Sequence, residues 1–122
     1  MHPWRRSFLK AFEKPRPSLV KITSDGFRFC RNKKIEVVEW RAVTQIDVCR
    51  EDAFTTDMFS VILQVEPNIT VCVSNLEEPL FPDFEKAVFV QWPEIEKSWK
   101  SVYCGPALVF EFVTLWKARQ SY

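Results

Sequence analysis

Between Ser18 and Val73, apolar side chains recur at every second position, and no other feature of this chain constrains its fold as strongly. Successive side chains of a strand point to opposite faces, so a period of two predicts strands with one apolar face. Leu19 and Lys21 alternate with Val20 and Ile22, and Phe27 and Phe29 with Arg28 and Cys30. Ile35 and Val37 alternate with Glu36 and Val38, and Trp40 ends that run. Ile46 and Val48 then alternate with Asp47, Cys49 and Glu51. Phe59, Val61, Leu63 and Val65 fall on one face, and Ile69, Val71 and Val73 complete a sixth strand. Ser24-Asp25-Gly26, Arg31-Asn32-Lys33-Lys34 and Glu66-Pro67-Asn68 supply the turns. The pattern predicts an antiparallel sheet with one side in water.

After Ser74 the period lengthens to that of a helix. Asn75 is placed as an N-cap, followed by Glu77 and Glu78. Pro82-Asp83 starts a helix on which Phe84, Val88 and Gln91 share a face with Ala87. Pro93 breaks it and suits the first position of a second helix, whose apolar stripe is Ile95, Trp99, Val102 and Tyr103. Gly105-Pro106 closes that helix, and Val109–Leu115 alternates again. At the other end, Trp4, Phe8, Leu9 and Phe12 have helical spacing opposite cations, and Pro15 and Pro17 stop the run. The expectation is a single α+β domain over residues 1–122. It has a basic N-terminal helix or arm at 1–17, antiparallel strands over 18–74, helices over 76–104 and a final strand at 108–117. Six to seven strands form one curved sheet. Eighteen aromatic residues are enough for a real core.

Charge is sorted along the chain. Residues 1–34 carry a net +8, residues 35–96 a net −10 and residues 97–122 a net +3, which together give the overall +1. A near-neutral total therefore hides an acidic middle between basic ends, which bears on the partners the surface attracts. Asp47, Glu51, Asp52 and Asp57 cluster around one hairpin, Glu36 and Glu39 precede them, and Glu66, Glu77 and Glu78 follow. Acids presented together speed encounter with a cationic protein. The candidate partner-binding residues are Asp47, Glu51, Asp52 and Asp57, with Glu77 and Glu78 secondary.

Several classes of chemistry find no footing. The one histidine, His2, lies next to the N-terminus, so histidine-based and Cys–His catalysis have only that residue to draw on; a carboxylate pair such as Asp52 and Asp57 is the remaining hydrolytic arrangement, and surface carboxylates are usually just solvated. Two glycines cannot build a phosphate loop. Cysteines 30, 49, 72 and 104 form no CxxC pair and no zinc pattern; buried, reduced thiols are expected, with Cys49 and Cys72 the pair to check. Glu77-Glu78 reads as solvated or capping rather than as a metal site, and no cofactor is expected. Arg28, Arg31, Lys33 and Lys34 interleave with Phe27 and Phe29, as in RNA-binding sheets. The shared parity of the two phenylalanines places them in the core, and the acidic middle repels phosphate. With no signal peptide and no apolar run near the ~20 residues of a membrane span, the cytoplasm is the expected location. The Asn68-Ile69-Thr70 sequon is discounted on that basis.

A resemblance rests on motifs in order over residues 24–117. They are Trp40 with Ile46, the stretch Glu51-Asp52-Ala53-Phe54-Thr55-Thr56-Asp57, and Glu77-Glu78 before Phe84; then come Pro93-Glu94-Ile95 with Trp99 and Val113-Thr114-Leu115-Trp116. Together they resemble a group of small bacterial proteins with a pleckstrin-homology-like sheet. Proteins of this size and character are similar to the immunity proteins of contact-dependent growth inhibition and related toxin systems. The likeness implies a non-enzymatic protein that binds and neutralises a cognate basic, nuclease-type toxin. The alternative is a membrane-surface, lipid-docking module using the basic N-terminal helix, in which Arg5, Arg6, Lys10, Lys33 and Lys34 form one surface.

Overall fold

The computed structural model describes residues 18–53, 56–76, 78–104 and 110–118, without side chains at 51–53, 56, 57, 110 and 111. The element order is β1 (Ser18–Ile22), β2 (Gly26–Arg31), β3 (Lys34–Glu39), a 3₁₀ turn (Trp40–Ala42), β4 (Val43–Ala53), β5 (Thr56–Val65) and β6 (Ile69–Ser74). Helix α1 (Phe81–Gln91), a second 3₁₀ turn (Pro93–Ile95), helix α2 (Glu96–Cys104) and β7 (Phe110–Lys117) follow. The expected N-terminal helix, residues 1–17, lies outside the described residues.

The strands do not form one curved sheet, as the sequence had suggested. They form two antiparallel sheets, a three-stranded one in the order β1-β2-β3 and a four-stranded one in the order β6-β5-β4-β7. The reason lies in β4. One of its edges pairs with β5 and the other with β7, so β3 has no edge of β4 to join. The Trp40–Ala42 turn, pinned where the Trp40 N–H donates to the Asp25 carbonyl at 2.9 Å, redirects the chain between the sheets.

One core lies between the sheets and the helices. The predicted apolar faces of β2, β5 and β6 are buried in it, as are Phe81, Phe84 and Val88 of α1 and Trp99 and Val102 of α2. Gln91, expected on the buried stripe, is exposed instead. Aromatic rings link the layers. Phe27 of β2 meets Trp40 and Phe84 at 5.3 Å each, and Trp40 meets Trp92 edge-on at 6.1 Å. Phe59 of β5 meets Trp99 at 5.5 Å and Tyr103 at 4.6 Å. Such offset and edge contacts stabilise beyond area burial by about 0.5–1.5 kcal/mol each.

Three local expectations change in the structure. Gly26 does not serve a left-handed turn, since its φ is not positive. Its role is close approach, since a Cβ there would lie 1.8 Å from the Val38 carbonyl oxygen. Positive φ falls instead on Asn32 (53°) and Lys33 (66°), the two residues of the β2–β3 loop, as a type I′ hairpin requires. Asn75 does not cap a helix. Its Oδ1 accepts the Phe59 N–H at 3.0 Å and its own N–H donates to the Phe59 carbonyl, prolonging the β5–β6 ladder. The first helix therefore begins at Phe81, not near residue 76. The polar face of β4–β6 is not left to water either: Asp47, Cys49, Ser60 and Ser74 are all buried.

Candidate functional site

The predicted acidic residues do not share one surroundings. Asp47 is only 3% exposed, and both its carboxylate oxygens accept from Gln45 Nε2 at 3.0 Å. Its burial withdraws it from a surface meant to meet a partner. Asp52 and Asp57 occupy directly opposed positions near the end of the β4–β5 hairpin, with Glu51 opposite Met58. Glu77 lies outside the described residues.

Glu78 is a structural tie. Its Oε2 accepts the Leu19 N–H at 2.8 Å, fastening β1 to the segment before α1. Burial raises its pKa above the ordinary carboxylate range, and the Leu19 hydrogen bond opposes that shift only in part. A folded-state pKa that is raised contributes stability at low pH, which is lost as pH rises through the folded value. Glu78→Gln keeps an acceptor and cannot ionise, so it is expected to match or exceed the parent stability at neutral pH. That advantage fades as pH falls into the carboxylate range. Glu78→Ala, which orphans the Leu19 N–H, is expected to lose about 1 kcal/mol. Urea denaturation at both pH values checks the pair; a Gln variant weaker at neutral pH would contradict the assignment.

Three other acids, Glu36, Glu39 and Glu66, line one groove. They rim a groove of about 280 Å³ between the two sheets, floored by Phe29, Val38, Ala42, Val65 and Ile69. Glu36 and Glu39 come from β3, and Glu66 from the β5–β6 turn. The Glu66 N–H donates to the Ala42 carbonyl at 2.9 Å, which holds the turn against the 3₁₀ segment. Glu39 also borders a second hollow of about 350 Å³, with Ser24, Asp25, Trp40, Arg41 and Gln91. The Trp40 indole N–H beside it is buried without an acceptor among the described residues.

Two cations already stand near the rim. Arg31 lies 3.9 Å from Glu36, and Arg41 donates to Glu39 at 2.6 Å. Glu66 is exposed and has no ion partner among the described residues. Exposed pairs are worth roughly 0–1 kcal/mol, so an incoming lysine or arginine can displace either arginine at little cost. The groove thus offers negative charge above an apolar floor. Sequence reasoning named all three glutamates but assigned them to separate places. Their placement on one groove depends on the Glu66–Ala42 backbone bond, which has no sequence signal.

Among the described residues, no group of His, Cys, Asp and Glu is arranged to hold a metal ion. Cys30 and Cys104 are free thiols, Cys49 is buried and Cys72 half-buried. No described helix is long and apolar enough to cross a membrane. No family model, curated protein or solved structure matches the chain.

Proposed function

We propose that this chain is a non-enzymatic binding protein that takes a cationic protein partner on the groove rimmed by Glu36, Glu39 and Glu66. Within that class, the reading that fits its size and charge is a cytosolic immunity protein that neutralises a basic, nuclease-type toxin. The likeness to pleckstrin-homology-like bacterial proteins belongs to the same reading. The observation that carries it is the lining of one apolar groove by Glu36 and Glu39 of β3 and Glu66 of the β5–β6 turn. Glu51, Asp52 and Asp57 belong to the far end of the β4–β5 hairpin, roughly 30 Å along β5 from Glu66, and are not part of this groove, while Asp47 and Glu78 have structural roles.

The test is association kinetics with the basic partner recovered from the native cell. For the parent protein the on-rate is expected to fall about tenfold or more between low and physiological salt. Glu36→Lys/Glu39→Lys/Glu66→Lys is expected to lower the low-salt rate by about 10–100-fold and to flatten its salt dependence. An unchanged rate would remove the groove from the function.

The lipid-docking alternative has an observation of its own. Val20, Ile35 and Val37 are 47%, 57% and 65% exposed, and Lys21, Arg28, Lys33 and Lys34 are exposed around them. Arg5, Arg6 and Lys10 lie outside the described residues. Co-sedimentation with phosphatidylserine vesicles, abolished by Lys33→Glu/Lys34→Glu, would favour this reading over the first.

A further inference from the structure

We infer that the partner's contact segment enters this groove as an extended strand that pairs with the free edge of β3. The inference rests on the cationic-partner reading and specifies its mode of recognition. Three independent features meet at that edge.

The first is backbone polarity. In an antiparallel pair, residues alternate between exchanging hydrogen bonds with the neighbour and pointing their backbone groups away. Arg31 and Lys34 close a two-residue loop, and the Trp40 N–H donates to Asp25 at the far end of the register. Both fix the even-numbered residues of β3 as bonded to β2. The N–H and C=O groups of Ile35, Val37 and Glu39 therefore point away from the sheet. The Glu39 C=O caps the Trp40–Ala42 turn, but no backbone or side-chain partner meets the groups of Ile35 and Val37 among the described residues. Among the described strands β3 ends the sheet order β1-β2-β3, so this row is an open edge there. Natural proteins usually blunt such edges, because an unpaired row templates another strand.

The second is shape. Glu36, Val37, Val38 and Glu39 form one wall of the groove, and Val65, Glu66 and Ile69 stand across it. A slot along a strand edge, walled on its far side, suits an extended chain better than a helix. The third is side-chain chemistry. Opposed residues in a ladder share a face. Partner residues opposite Ile35 and Val37 would lie beside two exposed aliphatic chains. The alternate partner residues would face the groove, with Glu36 and Glu66 at its rim. The occupant is an extended segment alternating β-branched residues with lysine or arginine. Strand addition draws affinity from main-chain hydrogen bonds and specificity from alternate side chains.

The probe is the peptide acetyl-Lys-Val-Lys-Val-Lys-Val-Lys-amide, titrated into the ¹⁵N-labelled full chain. One analogue is N-methylated at the valines, whose amides would meet β3, and another at the outer lysines. The parent peptide is expected to bind and to slow amide exchange at Ile35 and Val37 by about tenfold or more. Valine methylation is expected to weaken binding about tenfold or more, and lysine methylation by less than about threefold. If all three peptides bind alike without protecting Ile35 and Val37, strand addition is overturned and electrostatic docking stands. If none binds even at low salt, the cationic-partner reading falls with it.

Discussion

Gly26→Ala is expected to leave little folded protein. Gly26 opens β2 opposite Glu39, and an added Cβ would meet the Val38 carbonyl oxygen at 1.8 Å, its carbon at 2.8 Å and the Glu39 Cα at 2.9 Å. All three atoms are backbone, so no side chain can swing aside. Relief would require parting β2 from β3 next to Phe27, Val38 and Trp40, which are buried in the core. The expected loss is about 4 kcal/mol or more, a large share of the roughly 5–15 kcal/mol that holds a domain of this kind together. Expression yield, near-ultraviolet circular dichroism and urea denaturation would report it. A variant melting within a few degrees of the parent would show that the two strands do not approach as described.

Trp99→Ala comes next in size. The indole is fully buried, 5.5 Å from Phe59 and 5.0 Å from Phe89, ring centre to ring centre. Its Nε1–H donates to Glu85 Oε2 at 2.8 Å, which clips α2 to α1. Truncation removes one of the core's tryptophans and leaves a cavity between helices and sheet, at an expected loss of about 3–5 kcal/mol. The corresponding fall in Tm is roughly 10–20 °C. Trp99→Phe separates the two contributions. It retains an aromatic ring, and the half-buried Glu85 can turn to water, so its loss is expected to stay near 1–2 kcal/mol. Thermal unfolding of both variants checks the ratio; equal losses would assign the effect to the hydrogen bond.

Most strands and the positions of the helices were legible in the sequence because they are set by short-range pattern. Phe27 with Phe29, and Phe59 through Val65, are buried as a period of two predicts. Pro82 and Pro93 stand at the second position of α1 and the first of the following 3₁₀ turn, where their missing N–H does no harm. The division into two sheets was not legible. It depends on β7 pairing with β4 across more than half the chain, and alternation within a strand carries no information about its neighbours. Asp47 shows the same limit at one residue. Alternation marks it as belonging to the polar face, but not that this face is buried or that Gln45 supplies the donor. Asn75 was misassigned because its side chain suits a strand extension as well as an N-cap, and the carbonyl and amide of Phe59 decided between them. Among the site residues, the acidic character of the middle segment was evident; which acids meet was not.

The placement of β7 beside β4 also orders events during synthesis. β1, β2 and β3 pair with immediate neighbours, so the three-stranded sheet can zip up as soon as residues 18–39 are available. β4 is different: one edge finds β5 at once, but the other waits for Phe110–Lys117. At ~5–20 residues per second, a ribosome needs roughly 3–12 s to cover that interval. For those seconds the nascent chain presents the eleven-residue strand Val43–Ala53 with one bare side. Two molecules on neighbouring ribosomes of one message could then pair through β4 before either completes its own sheet. Slow synthesis between β4 and β7 would thus work against yield, and a holdase that shields β4 would improve it.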